Sequence, residues 1–255
     1  MSVHDVAAAG FGAEAASYER ARPTYPPAAV AWLADALALG PGTIVADVAA
    51  GTGKLTRLLT SHGATIVAVE PVEGMRAQLV TAVPGVHAVG AIAEALPLRA
   101  RSLDAVTVAQ AIHWFDRDAA LAELHRVLRP GARLGVIGNH RDRSVPWVDT
   151  VWSLVDDIER DAPWRGHQEA QLDVFHDQPW FAPPTVTSFP NEQRLTPEQV
   201  VDRVRSISHV GALDPADQHA FLDEIRSVLA TDPATATAPE VTLPYRTDVC
   251  WATRT

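Results

Sequence analysis

The sequence predicts an α/β protein on a doubly wound, mostly parallel seven-stranded sheet, and three observations carry that reading. Short apolar runs alternate with helical periodicity as far as Ile137. The turn after the first run is rich in glycine and small residues, and two more strand patterns accompany a later group of helices. Strands alternating with helices across short turns form parallel neighbours with right-handed crossovers. In such sheets a ligand lies across the carboxyl ends of the strands.

Each element has a local cause. Trp32, Leu33, Ala36 and Leu37 give a helical face that Gly40-Pro41-Gly42 ends. Ile44 to Val48 is an apolar run of buried-strand type, and Leu55, Leu58 and Leu59 resume helical spacing straight after it. Thr65 to Val69 is the second strand, Val72, Met75 and Leu79 mark the next helix, and Val86 to Gly90 is a short third strand. Ala105 to Ala109 is the fourth, entered by Asp104. Leu121, Leu124, Val127 and Leu128 share a helix face, with Asp116 as N-cap and Pro130-Gly131 as the stop. Ala132 to Ile137 is the fifth strand. Beyond it, Val148, Val151, Trp152, Val155 and Ile158 form an amphipathic helix. A loop carrying Trp164, Phe175, Trp180 and Phe181 follows, then a strand from Pro184 to Phe189. Thr196-Pro197-Glu198-Gln199 opens a helix with an N-cap, an N1 proline and a capping-box glutamine. Asp214-Pro215 opens another, and Val241 to Thr253 alternates as a last, antiparallel strand. The Ala/Thr/Pro stretch from Thr231 to Pro239 reads as a mobile linker.

The most informative stretch runs from Asp47 through Ala49 and Gly51 to Gly53. Glycines there let the backbone approach a ligand, and Gly53 stands where a helix would begin. The second apolar run ends in Glu70, an acid placed to accept both hydroxyls of a ribose. Together they form a nucleoside-binding strand–loop–helix–strand unit. A phosphate-cradling loop would need glycine where Val48 stands and Ser or Thr where Leu55 follows Lys54, so that reading fails. The dinucleotide fingerprint would need Gly or Ala in place of Thr56, which weakens it. Acid-x-small-x-Gly-x-Gly is the spacing that fits. Asp47, inside an apolar strand, must be satisfied by protein donors or by a ligand's ammonium group. Orienting the loop and touching the ligand are both open roles for it.

With Asp47 to Lys54 as its glycine loop, the chain resembles the class I S-adenosylmethionine-dependent methyltransferases, in particular the type 11 small-molecule group with trans-aconitate-methyltransferase-like members. Tyr18 to Pro26, Glu70 to Met75, Ala93 to Leu98, Gln110 to Phe115 and Arg126 to Gly131 carry it further, in the family's order and spacing. The resemblance implies a Rossmann-like methyltransferase fold with a helical cap. Residues 1–145 would be the cofactor-binding core with an N-terminal helical segment, 146–182 and 196–231 the cap and substrate region, and 183–195 and 240–255 the final strands of the core sheet. It implies S-adenosyl-L-methionine as cofactor and S-adenosyl-L-homocysteine as product. The cofactor-binding residues would be Tyr18, Arg22, Asp47, Ala49, Gly51, Gly53, Glu70, Pro71, Met75, Ala93, Glu94, Gln110 and Ala111. Among them, Arg22 is matched to the methionine carboxylate, Met75 to an adenine face, and Ala93 or Glu94 to the adenine amino group. The one departure is Ala49, where many members carry glycine.

His113, just past the fourth strand, is either packed beside Trp114 and Phe115 or the catalytic group that takes an acceptor proton. Tyr25, Trp114, Arg205, Ser206 and His209 are candidates for touching the substrate, whereas Arg203 is expected on a solvated helix face. The expected activity is methyl transfer to a small organic acceptor, by O-methylation. Two other classes stay open. One is a protein of the same fold without methyl transfer, a binding module or a rearrangement catalyst. The other is an NAD(P)-dependent oxidoreductase, against which argue Thr56 and the absence, after the fifth strand, of the region that such oxidoreductases devote to substrate.

Composition narrows the partners. The net charge of −10, with no basic block, argues against nucleic acid. Cys250 is the only cysteine, which excludes an internal disulfide and a cysteine-based zinc site, and no metal is expected. Met1 to Gly12 lacks a signal-peptide pattern, and no apolar stretch approaches the ~18 residues of a membrane span. A cytoplasmic monomer or homodimer acting on a small molecule is the expectation. Glu70→Ala is expected to weaken cofactor binding and to spare folding.

Overall fold

The computed structural model describes residues 22–158 and 173–255 of the chain; Tyr18 and Trp164 lie outside them. In chain order the elements are α1 (Pro27–Ala36), β1 (Ile44–Val48), α2 (Lys54–Leu59), β2 (Thr65–Val69), α3 (Glu73–Ala82), β3 (His87–Val89) and β4 (Leu103–Ala109). There follow α4 (Arg117–Val127), β5 (Leu128–Arg141), α5 (Pro146–Ile158), β6 (Thr185–Leu195), α6 (Pro197–Arg205), α7 (Ser208–Gly211), α8 (Pro215–Thr231) and β7 (Val241–Thr253). The strands form one mixed sheet of seven in the order β3-β2-β1-β4-β5-β7-β6. β1 pairs in parallel with β2 and β4, β2 with β3, and β4 with β5. Strand order therefore reverses between β1 and β4, which is where doubly wound sheets bind ligands.

The described residues fall into two compact units. The first holds 24–139, 173–189 and 247–255, and its helices cover both sheet faces for a reason visible along β1. Val45 joins a buried cluster with Leu33 of α1 and Leu55 and Leu59 of α2. Ala46 and Val48, with the opposite parity, join Leu121 and Leu124 of α4. Side chains of a strand alternate between faces, so one apolar run supplies both cores. Each fully buried leucine contributes about 1.5–3 kcal/mol. The second unit holds 22–23, 140–158 and 190–246. Its core joins Val148, Val151 and Trp152 of α5, Val200 and Val204 of α6, and Ile225 of α8.

Caps fall where short polar side chains precede helices. Asp116 accepts from Ala119 N at 3.2 Å, Thr196 and Gln199 form a capping box, and Asp214 accepts from Ala216 N at 2.9 Å. Other boundaries differ from expectation. α1 ends without glycine: Ala38 takes φ 51°, and Leu39 N reaches back to Ala34 O at 2.9 Å. β5 begins at Leu128 and runs through Pro130-Gly131, because pairing with β4 starts at Leu103↔Leu128 and a register shift absorbs the irregularity. β6 likewise continues through Pro190 to Leu195. The stretch expected as a mobile linker is organised by Thr235, which is buried and donates to Leu229 O at 2.6 Å, satisfying a carbonyl at the end of α8.

Gly135 on β5 sets how closely α1 packs. A Cβ there would lie 2.6 Å from Leu33 Cδ1 and 3.0 Å from Leu37 Cδ1. Gly135→Ala should therefore lower unfolding free energy by about 1–3 kcal/mol, the usual cost of overpacking, in urea titration of the purified chain.

Candidate functional site

The carboxyl ends of β1 and β4 carry unusual backbone. Ala49, Gly51 and Gly53 take φ of 55°, 58° and 85°, and Gln110 takes 57°. Glycine enters this region freely, but a residue with a Cβ pays about 1–2 kcal/mol. Ala49 and Gln110 are thus strained residues held by their surroundings. At Gly51 an added Cβ would meet nothing within 4 Å, so the loop presents bare backbone on that side. At Gly53 it would meet Leu79 Cγ at 3.0 Å, so that glycine serves packing against α3 as well.

Asp47 holds this loop from beneath. It lies opposite Thr107 in the β1–β4 register, is fully buried, and accepts from Thr107 Oγ1 at 2.9 Å and from Thr56 Oγ1 of α2 at 2.6 Å. Burial pushes its carboxyl up to about 6, opposed by the two threonine hydroxyls and reinforced slightly by Glu70. Its carboxylate is thus satisfied by protein donors on the helix after the loop and on the neighbouring strand. Neither threonine stands among the expected site residues. Thr56 enters the sequence argument only where a dinucleotide fingerprint would carry Gly or Ala, whereas Thr107, a polar residue amid Ala105 to Ala109, is the local signal of a buried partner.

Glu70 is buried at the end of β2 and bridges two turns. Its Oε2 accepts from Gly51 N at 2.8 Å and its Oε1 from Val72 N at 2.9 Å. Arg76 donates to the Glu70 carbonyl at 2.7 Å and to that of Pro71 at 3.2 Å. Burial raises the Glu70 carboxyl above its ordinary value, with the two amides opposing. The expectation that its loss would spare folding is therefore corrected, since removal would leave two loop amides without their acceptor. Each carboxylate oxygen still has acceptor capacity for a hydroxyl.

The remaining candidates are placed as follows. Met75, Ala93 and Ala111 are buried in the same unit, and Glu94 Oε1 accepts from Asp116 N at 2.9 Å, tying the β3–β4 connection to α4. Gln110 Nε2 donates to Asn139 O at 3.1 Å, and the Asn139 side chain bonds Thr24 O and Thr247 Oγ1. Asn139 and Thr247 carried no sequence signal. His113 sits half-buried in a single 3₁₀ turn, Ile112–Trp114, with its ring 5.1 Å from that of Trp114. Tyr25 is buried among α1, β1 and α2. Arg22, Arg205, Ser206 and His209 belong to the second unit, where Arg22 donates to Ser206 O at 3.0 Å and Arg205 to Asp202 at 3.0 Å. The expectation for Arg203 fails: it is buried, not solvated, because α6 turns it toward Tyr245 and Trp152.

The chain matches the model of a methyltransferase domain family over residues 46–136, the span from β1 to β5. It is 38% identical over 248 residues to an uncharacterised methyltransferase of Mycobacterium tuberculosis, covering 94% of this chain and 93% of that one. An uncharacterised methyltransferase-like protein of Schizosaccharomyces pombe is 33% identical over 245 residues, with 93% and 92% covered. A solved structure from Anaeromyxobacter dehalogenans, described as a type II methyltransferase, superposes with TM-score 0.64 at 29% identity, covering 91% of this chain and 96% of that one. The chain belongs to the class I S-adenosylmethionine-dependent methyltransferases. It is therefore a methyl-transfer enzyme and not a nicotinamide-dependent oxidoreductase. Among the described residues, no helix is long and apolar enough to cross a membrane.

Two outcomes follow from the loop. Ala49→Gly relieves the left-handed strain and should raise stability by about 0.5–1 kcal/mol in chemical unfolding. Asp47 binds its proton more tightly folded than unfolded, so its contribution to stability falls as pH rises from about 4 through about 6. Asp47→Asn lacks that loss. Its stability relative to the parent should rise by about 1–3 kcal/mol between pH 4 and pH 7, and a constant difference would contradict the buried-carboxyl assignment.

Proposed function

We propose that the protein transfers a methyl group from S-adenosylmethionine to an oxygen of a small organic acceptor. The observation that carries the cofactor part is the buried Glu70 carboxylate joined to the Gly51 amide, in a loop where a Cβ added at Gly51 would meet nothing within 4 Å. The donor set fits the cofactor: a carboxylate for ribose hydroxyls, bare backbone at Gly51, and apolar Met75 and Ala93 for an adenine. Pro71, Glu94, Gln110 and Ala111 would complete the rim, with Tyr18 and Arg22 kept as candidates from the resemblance.

When bound, the cofactor supplies a methyl group already activated on a sulfonium. What remains for the protein is alignment and exclusion of water, and alignment alone supplies about 7–11 kcal/mol. His113, on the turn leaving β4, is the group proposed to receive the acceptor's proton as the new C–O bond forms. A base of this kind contributes about 10²–10⁴-fold in rate. Trp114 would shield the reacting centre, and Tyr25, Arg205, Ser206 and His209 remain substrate candidates. The acidic balance of −10 supports a small molecule over a nucleic acid, and a cytoplasmic monomer or homodimer completes the reading.

Calorimetry should show S-adenosylmethionine and S-adenosylhomocysteine binding well and NAD weakly. NAD binding tighter than both would overturn the reading. Glu70→Ala should weaken the sulfur nucleosides by about 1.5–3 kcal/mol and also lower stability. Incubation with S-adenosylmethionine and extract of the producing cell, followed by mass spectrometry and NMR of the product, should reveal an O-methylated small molecule. An N- or C-methylated product would correct the acceptor atom and leave the cofactor assignment standing.

A further inference from the structure

The second unit contains a buried positive charge that the loop chemistry does not use. Arg203 of α6 is 3% exposed. Its Nε donates to Tyr245 Oη at 3.2 Å, and its Nη1 lies 3.4 Å from Ser206 Oγ, a long contact. Among the described residues no carboxylate lies within ion-pairing distance of it, although Asp156 serves Arg141 at 3.6 Å and Arg143 at 2.5 Å. The guanidinium sits over the Trp152 ring at 5.4 Å, and that of Arg141 over the same ring at 4.2 Å. Trp152 is fully buried, and its Nε1 has no hydrogen-bond acceptor among the described residues.

A guanidinium is not deprotonated in proteins, and burying one without a counter-charge is costly. Natural structures rarely keep an unmatched buried charge or an orphaned indole donor without a use. Both occur side by side here, with a second guanidinium on the same ring. We propose that Arg203, with Trp152 and Arg141, forms an oxyanion-binding site within this unit that takes the carboxylate of a small organic acid. A guanidinium with no carboxylate partner among the described residues matches one negative charge, and its planar fork matches a carboxylate in shape. This deepens the proposed function by naming the class of small molecule that the methyltransferase recognises, and it rests on that reading.

The test uses the full chain with benzoate, inorganic phosphate, and benzamide as the neutral isostere of benzoate. Benzoate should raise the melting temperature of the parent, with benzamide and phosphate without effect. Arg203→Met should bind benzoate at least tenfold more weakly by calorimetry, melt no lower than the parent without ligand, and keep the parent's affinity for S-adenosylmethionine. Arg203→Lys retains the charge without the fork, and it should also bind benzoate several-fold more weakly, which keeps the test intact if the methionine variant does not fold. Protection by phosphate alone, benzoate protection unchanged in either variant that folds, or no protection of the parent would each overturn the site. Failure of the parent to bind S-adenosylmethionine would instead strike the proposed function, whatever benzoate does.

Discussion

A carboxylate with no access to water sits on the central strand of the sheet, and the loop chemistry depends on how it is satisfied. Asp47 takes one hydroxyl from the neighbouring strand and one from the helix beyond the loop. These two bonds fix β1, β4 and α2 around one point, and the residues between them turn through three left-handed positions. Burial works against the charge on Asp47, and the two threonine hydroxyls oppose that effect. Glu70 closes the arrangement from the adjacent strand by taking the Gly51 amide. The ligand-facing loop thus runs between two buried carboxylates on neighbouring strands, Asp47 bonded to the helix that follows the loop and Glu70 bonded to the loop itself at Gly51 N.

Strain at Ala49 and Gln110 fits this picture. Both are non-glycine residues in left-handed backbone, both stand at the ends of adjacent central strands, and backbone bonds lie at or beside each, from Ala50 N to Val69 O and from Gln110 N to Ile137 O. Residues in sparsely populated conformations persist when the surrounding structure over-determines them, and they cluster at functional sites. Asn139 belongs to the same frame, since its side chain joins the backbone of Thr24 to the hydroxyl of Thr247 while its carbonyl holds Gln110.

Much of this was legible in the residues themselves. The alternation of β1 with α2 and β2, the small-residue turn and the acid at Glu70 identified the parallel sheet and its binding end, because period and turn chemistry are local properties. What escaped was long-range. Thr107 is separated from Asp47 by an intervening strand pair and two helices, and nothing local announces that their side chains meet. β5 and β6 extend beyond the apolar runs that announce them, through Pro130 and Pro190, because membership of a sheet depends on neighbouring strands and not on local composition alone. Helical spacing marks the face of α6 that carries Arg203 without saying what covers it. Tyr245, on a strand far along the chain, decides that face.

The central claim is that the loop from Asp47 to Gly53 and the Glu70 carboxylate form the nucleoside site. A crystal structure with S-adenosylhomocysteine tests it most directly. The account predicts ribose hydroxyls on the Glu70 carboxylate, ligand backbone-close at Gly51, and Asp47 still bonded to Thr56 and Thr107. A nucleoside bound away from Glu70, or an Asp47 that abandons both threonines to reach the ligand, would contradict it.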